Sequence, residues 1–363
     1  MNVIPANTEV QKSLFAKAKS GSLSSAYLFI GKEGIGKEAL AIELCKVANS
    51  LQTDFEGVLK SGAMQYIHPL PRSIKPKRTG RPLDDLSDKQ INEVRQLHSI
   101  KNKIIYKKII PVGSGDIKID QIRNAIAELH KSTSVQHRFV IVPDAERMNE
   151  QSANAFLKTL EEPPQNSTVI LTTAKPARII KTINSRCQSI RIDTPTPDEL
   201  MSFIVNLSFT DNFSSDILQQ AVFQSEGSIL KAIEIIQGES EGYYSIAIEY
   251  LRSTLRTHNY QLNLSELINS DPKNYDKSQF RGFISEIGKI LLRSKKIYEG
   301  VTLQYISPDE EKTIMKIANK YGSRITSKVF AALDRAIDMQ ESNVGKDLIL
   351  LDLSMKLREL LLH

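Results

Sequence analysis

The sequence predicts an α/β fold with a parallel sheet, followed by a long helical region. Three observations carry the prediction: a strand, glycine loop and helix in succession near residues 26–45, further short apolar runs alternating with amphipathic stretches, and a nearly all-helical pattern beyond Pro197.

Taken in order, residues 9–20 have helical spacing, and Ala26-Tyr-Leu-Phe-Ile30 is a short apolar strand. The glycine loop Gly31-Lys-Glu-Gly34-Ile-Gly36-Lys37-Glu38 follows, and Ala39–Cys45 continues as helix. Ile104–Tyr106, Phe139–Val142 and Thr168–Thr172 read as further buried strands, and Ile119–Leu129 as a helix with apolar residues at 119, 122, 126 and 129. Between the loop helix and these strands lies an irregular insert at about 68–82, broken by prolines and carrying Arg72, Lys75, Lys77, Arg78 and Arg81. It reads as a solvated loop or as a contact to a nucleic-acid backbone. Helices are expected from Pro197, over 215–225 and over 228–236. From 242 to 363 strand patterns largely disappear, and 346–362 is leucine-rich on more than one face, which suits packing inside a bundle or against other subunits.

A chain of 363 residues has room for two or three domains, and its net charge of +6 is compatible with a polyanionic partner without requiring one. No run of eighteen apolar residues occurs and the N-terminus has no signal-peptide pattern, so a cytoplasmic protein without membrane contact is expected. The two cysteines, Cys45 and Cys187, exclude a disulfide framework and a four-thiolate zinc site built from this chain.

The loop at 31–38 has the glycines and the lysine of a phosphate-binding loop, but Glu38 stands where a Mg²⁺-binding hydroxyl belongs. A carboxylate about 4 Å from a phosphate charge costs on the order of 4 kcal/mol at an effective dielectric near 20, unless a metal intervenes. At the end of the 139–142 strand, Asp144 could face a metal, but Ala145 follows it where a water-orienting carboxylate is wanted, and Glu146 should point elsewhere. Ser185-Arg186-Cys187 puts an arginine on a loop edge. There it could pair with a surface carboxylate or reach a neighbouring subunit's nucleotide.

The phosphate-type loop, the segment Asn154-Ala-Phe-Leu-Lys-Thr-Leu-Glu-Glu-Pro-Pro164 and Ser185-Arg186-Cys187, in this order, resemble bacterial DNA polymerase III clamp-loader subunits over about the first 235 residues. The resemblance implies an AAA+ α/β domain over 1–175, a small helical lid over 176–240 and an all-helical C-terminal collar over 241–363 that joins a hetero-oligomeric ring. Glu38, Ala145 and Leu230, the last where motor subunits carry a nucleotide-sensing arginine, set the chain nearer to the non-hydrolytic delta-prime type than to gamma or tau.

In that reading Arg186 is an arginine finger acting in trans. Gly31, Gly34, Gly36, Lys37 and Asp144 form a degenerate site at which no cofactor is required and weak ATP or ADP binding is left open. Many members of the family it resembles carry a four-cysteine zinc module between the loop helix and the middle strands; only Cys45 lies in that vicinity, so no zinc is expected. The implied partners are gamma/tau motor subunits, a delta subunit, the sliding clamp and primer-template DNA, within the DNA-directed DNA polymerase (nucleotidyltransferase) holoenzyme. The alternatives are an active gamma/tau-type ATPase and a free nucleic-acid-binding module using the basic insert.

Overall fold

A computed structural model describes residues 3–71, 82–131, 135–207, 209–210, 213–238, 243–256, 264–265, 271–306 and 308–362. The chain forms two compact units, 1–233 and 234–363.

The first unit is built on a five-stranded sheet in the order β2-β3-β4-β1-β5. Its strands are β1 (Ala26–Ile30), β2 (Met64–Tyr66), β3 (Arg138–Val142), β4 (Ser167–Thr173) and β5 (Gln188–Arg191). All pairings are parallel, with Ala26 opposite Val169 and Ile30 opposite Thr173 in the centre. β1 and β4 are buried almost end to end, which is why they read as continuous apolar runs. The edge strands gave no such signal: β2 has three residues and β5 is largely exposed.

Helices α1 (Thr8–Lys19), α2 (Lys37–Ala48), α3 (Phe55–Lys60), α4 (Asp88–Lys103), α5 (Ile119–Leu129), α6 (Glu150–Glu161) and α7 (Lys181–Asn184) accompany the sheet. They are followed by α8 (Pro197–Val205), α9 (Ser215–Ser225) and α10 (Ile229–Ile236). α4 starts at a reciprocal Ser87–Gln90 capping box and α8 at Thr196–Glu199, each satisfying otherwise orphaned N–H groups.

The strand expected at 104–106 is not formed. These residues turn at the end of α4, because the fully buried Lys101 ammonium draws the carbonyls of Ile105 and Lys107 onto itself at 3.0 and 2.8 Å. The basic residues Arg72, Lys75, Lys77, Arg78 and Arg81 lie outside the described residues.

The second unit has helices and no strand among its described residues: α11 (Tyr244–Thr254), a single turn at Asp271–Asn274, α12 (Lys277–Tyr298), α13 (Pro308–Tyr321), α14 (Ser327–Glu341) and α15 (Lys346–Leu362). α12 supplies Phe280, Phe283, Ile287, Ile290 and Leu291 to one continuous apolar core. α15 buries Ile349, Leu350, Leu353, Leu357 and Leu361 there, and its backbone at Leu350 accepts from the buried Tyr250 hydroxyl at 2.7 Å. Its other apolar face, Leu348, Leu351 and Met355, is exposed. The two-faced leucine pattern therefore corresponds to one packed face and one open one. Among the described residues no helix is long and apolar enough to cross a membrane.

Candidate functional site

The glycine loop joins the carboxyl end of β1 to the N-terminus of α2, the place where open parallel sheets present backbone N–H groups to ligands. Gly34 and Gly36 have φ of +75° and +90°, a region side chains avoid. Both are also covered. A Cβ at Gly34 would lie 2.0 Å from Ser228 Oγ and 3.2 Å from Leu230 Cβ, and one at Gly36 would lie 2.6 Å from Ile4 and 3.4 Å from Tyr106.

Each cover has its own anchor. The Leu230 N–H donates to the Gly34 carbonyl at 3.1 Å, and Lys32 donates to the Glu226 carbonyl at 2.8 Å. Buried Gln11 accepts from the N–H groups of Val3 and Ile4 and donates to the carbonyls of Ile4 and Ala6, fixing the N-terminal segment against the loop. The Tyr106 hydroxyl donates to the Val3 carbonyl at 2.8 Å. Between the loop, Lys108, Asp144 and Thr172 a cavity of about 20 Å³ is left, the room of roughly one water molecule.

The charged groups are satisfied from within the chain. Lys37 donates to the Gly31 and Lys32 carbonyls at 2.8 and 2.7 Å, and burial, with Lys108 nearby, pulls its ammonium down to about 8. Asp144, in the left-handed region at φ 47°, accepts from Lys108 Nζ at 2.9 and 3.0 Å, and the same ammonium reaches Glu33 at 2.7 Å. Burial opposes the charge on Lys108, but Asp144 and Glu33 outweigh it and hold its pKa above the ordinary lysine range. Burial raises the Asp144 carboxyl against the attraction of Lys108.

Glu38 turns away from Asp144's lysine to a different one. Its Oε2 accepts from Lys101 Nζ at 2.9 Å and from the Tyr66 hydroxyl at 2.6 Å. Burial works against its charge, yet Lys101 and Tyr66 leave the carboxyl below its usual range. Ala145 is buried. Glu146 is closer to the cluster than expected: its charge is felt at both Lys37 and Asp144, and its Oε2 is buried without a hydrogen-bond partner among the described residues.

Arg186 lies on the short link between α7 and β5. Its Nε donates to Glu161 Oε1 at 2.8 Å, Nη2 donates to the same oxygen, and Nη1 donates to the Thr182 carbonyl at 3.0 Å. A third of the side chain stays exposed. Ser185 Oγ donates to the Thr182 carbonyl at 3.1 Å, while Cys187 is buried and its thiol is pushed up to about 12, which removes thiolate reactivity.

The structure thus brings Gly34, Gly36, Lys37 and Asp144 to one cavity. Gly31 stands at its edge through its bond to Lys37, and Arg186 is apart from it. Ile4, Tyr66, Lys101, Tyr106, Lys108 and Glu161 were missed from sequence. Of these only Glu161 carried a signal, since it lies within the Asn154–Pro164 segment.

A model of the family described as DNA polymerase III, delta subunit matches residues 6–196. The chain belongs to that family. It is 34% identical to DNA polymerase III subunit delta' of Haemophilus influenzae over 40% of this chain and 43% of that protein. With subunit delta' of Escherichia coli the identity is 32%, over 35% of this chain and 38% of that protein. With subunit gamma of Buchnera aphidicola it is 26%, over 34% and 36% respectively. These alignments span less than half of each relative. The expected kinship with clamp-loader subunits of the delta-prime and gamma type is borne out.

Proposed function

We propose that the chain is a non-hydrolytic, delta-prime-type subunit of a bacterial sliding-clamp loader, of AAA+ architecture with a lid over 176–240 and a collar over 241–363. The observation that carries the reading is Lys108: its ammonium sits between Glu33 and Asp144, within 3.0 Å of both. A metal-bound triphosphate needs Asp144 free for the cation, a hydroxyl at 38, and space far beyond one water molecule. Here Asp144 holds a lysine, Glu38 neutralises Lys101, and Ile4, Tyr106 and Leu230 cover the loop. No nucleotide is required by this arrangement, and any binding would have to displace both Lys108 and the cover.

The part directed outward is Arg186. An exposed guanidinium beside an adjacent ATP site neutralises charge developing on the transferred phosphate, which in other systems is worth about 10³ to 10⁵ in rate. The partners in this reading are gamma/tau motor subunits, a delta subunit, the clamp and primer-template DNA in the cytoplasm. The open Leu348, Leu351 and Met355 stripe offers a collar contact.

The test is reconstitution with motor and delta subunits: Arg186→Ala should sharply reduce ATP turnover and clamp loading, and an unchanged rate sinks the finger assignment. One observation favours the alternative gamma-type motor, the unpartnered Glu146 oxygen beside Lys37 and Asp144. Magnesium-dependent ATP turnover by the isolated chain, above a Lys37→Ala control, would decide for it.

A further inference from the structure

The second unit holds a groove of about 640 Å³ between α11 and α13. Its floor is aliphatic, from Leu251, Leu255 and Ile317. Its rim is cationic: Arg252 and Arg256 on one wall, Lys316 and Lys320 on the other, all four exposed. Among the described residues no carboxylate lines it.

This charge arrangement is costly without an anion. Lys316 and Lys320 are one helical turn apart on α13, which is worth roughly 0.2–0.5 kcal/mol of repulsion, and Arg252, on α11, stands four residues before Arg256, just beyond that helix's end. The buried lysines of the first unit are treated differently, since Lys101 and Lys108 each have a carboxylate within 3.0 Å. The groove lining supplies no such carboxylate: Arg252 Nη2 donates to Thr313 Oγ1 at 3.3 Å, and Lys320 Nζ lies 5.2 Å from the centroid of the Tyr321 ring.

The floor also discriminates between polyanions. Single-stranded nucleic acid gains affinity from open aromatic faces on which bases stack. The aromatic residue of the lining, Tyr321, has Lys320 Nζ over its ring at 5.2 Å from the centroid and so offers no open face, while the apolar surface left at the groove is the edges of Leu255 and Ile317 with the aliphatic stems of Lys316 and Lys320. Aliphatic side chains flanked by carboxylates match both the floor and the rim.

We propose that the groove between α11 and α13 docks an acidic amphipathic helix of a partner protein. Leucine-type side chains of that helix at i, i+3 and i+4 would lie over the edges of Leu255 and Ile317 and the aliphatic stems of Lys316 and Lys320, with carboxylates meeting Arg252, Arg256, Lys316 and Lys320.

The experiment uses the full chain and fluorescence anisotropy with a labelled synthetic helix of about 16 residues, long enough for marginal helicity, built from Leu on one face and Glu on the other. Comparators are a peptide of the same composition in scrambled order and an oligothymidylate of similar charge. The Leu/Glu helix should bind, and both Lys316→Glu/Lys320→Glu and Arg252→Glu/Arg256→Glu should weaken it by about tenfold or more. The exposed control pair Lys296→Glu/Lys328→Glu should leave it within about twofold. Urea unfolding of each variant verifies folding, and the two walls provide independent variants. Absence of binding, equal binding of the scrambled peptide, insensitivity to both wall variants, or tighter binding of the oligothymidylate with the same sensitivities overturns the proposal.

Discussion

The loop that follows β1 and the link that precedes β5 are built in opposite ways. At residues 31–38 every charge has a partner inside the chain, Lys32 on Glu226, Glu33 on Lys108, Lys37 on carbonyls and Glu38 on Lys101, and Asp144 beside the loop is held by Lys108 as well. At 185–187 the guanidinium makes one surface pair and keeps a third of its side chain in water. In the function proposed here, a phosphate-type loop whose charges are internally matched keeps its shape without needing a ligand, whereas Arg186 would give up little on changing partners. The difference is one of desolvation. Lys101 is fully buried and must have a counter-charge; Arg186 is exposed and need not.

The sharpest way to break this contrast is Glu38→Ser, which makes the loop more like a working phosphate loop in sequence. It should lower stability by about 3–5 kcal/mol, the usual effect of stranding a buried charge, and should confer no ATPase. Urea unfolding checks it, and Glu38→Ser/Lys101→Met should recover much of the loss. A neutral Glu38→Ser would show that Lys101 does not depend on Glu38.

A smaller effect comes from pH. His68 neighbours Tyr66 and His98; its Nδ1 lies 2.9 Å from the Pro69 carbonyl, and its Nε2 is 3.3 Å from that of His98. Burial depresses its pKa from 6.5 to about 4. The unfolded chain therefore binds the proton first, so this contribution is intact above pH 6.5 and is lost as pH falls toward 4. The slope should approach about 1.4 kcal/mol per pH unit for this one group. Stability measured between pH 7 and pH 4 should fall less steeply in His68→Gln; identical slopes would remove His68 from the internal network.

The smallest change is expected at the outward loop. Glu161→Ala should alter stability by no more than about 0.5 kcal/mol, because the pair is half in solvent and screened. A loss as large as that of Glu38→Ser would mean that the two loops do not differ in the way described.

Much of the fold was legible. The 26–30, 139–142 and 168–172 runs became β1, β3 and β4 because central parallel strands are buried on both faces and leave continuous apolar stretches. The helices at 119–129 and 215–225 have the bounds their spacing suggested. Ile104–Tyr106 misled because an apolar triplet does not reveal that Lys101, just upstream, needs two of the following carbonyls. At the site, the sequence located the glycine loop, Asp144 and Arg186 but left Glu38 as an oddity.

By itself, then, the sequence determined the family, the succession of strand, glycine loop and helix at 26–45, and the presence of Glu38 and Ala145 where a hydroxyl and a carboxylate were looked for. Only the tertiary structure decided where the replacements go: Glu38 to a lysine 63 residues away, and Asp144 to one 36 residues away. Periodicity records which face of an element is buried. The partner of a buried charge is selected by the cost of leaving that charge uncompensated, and that cost exists only once distant segments have been brought together.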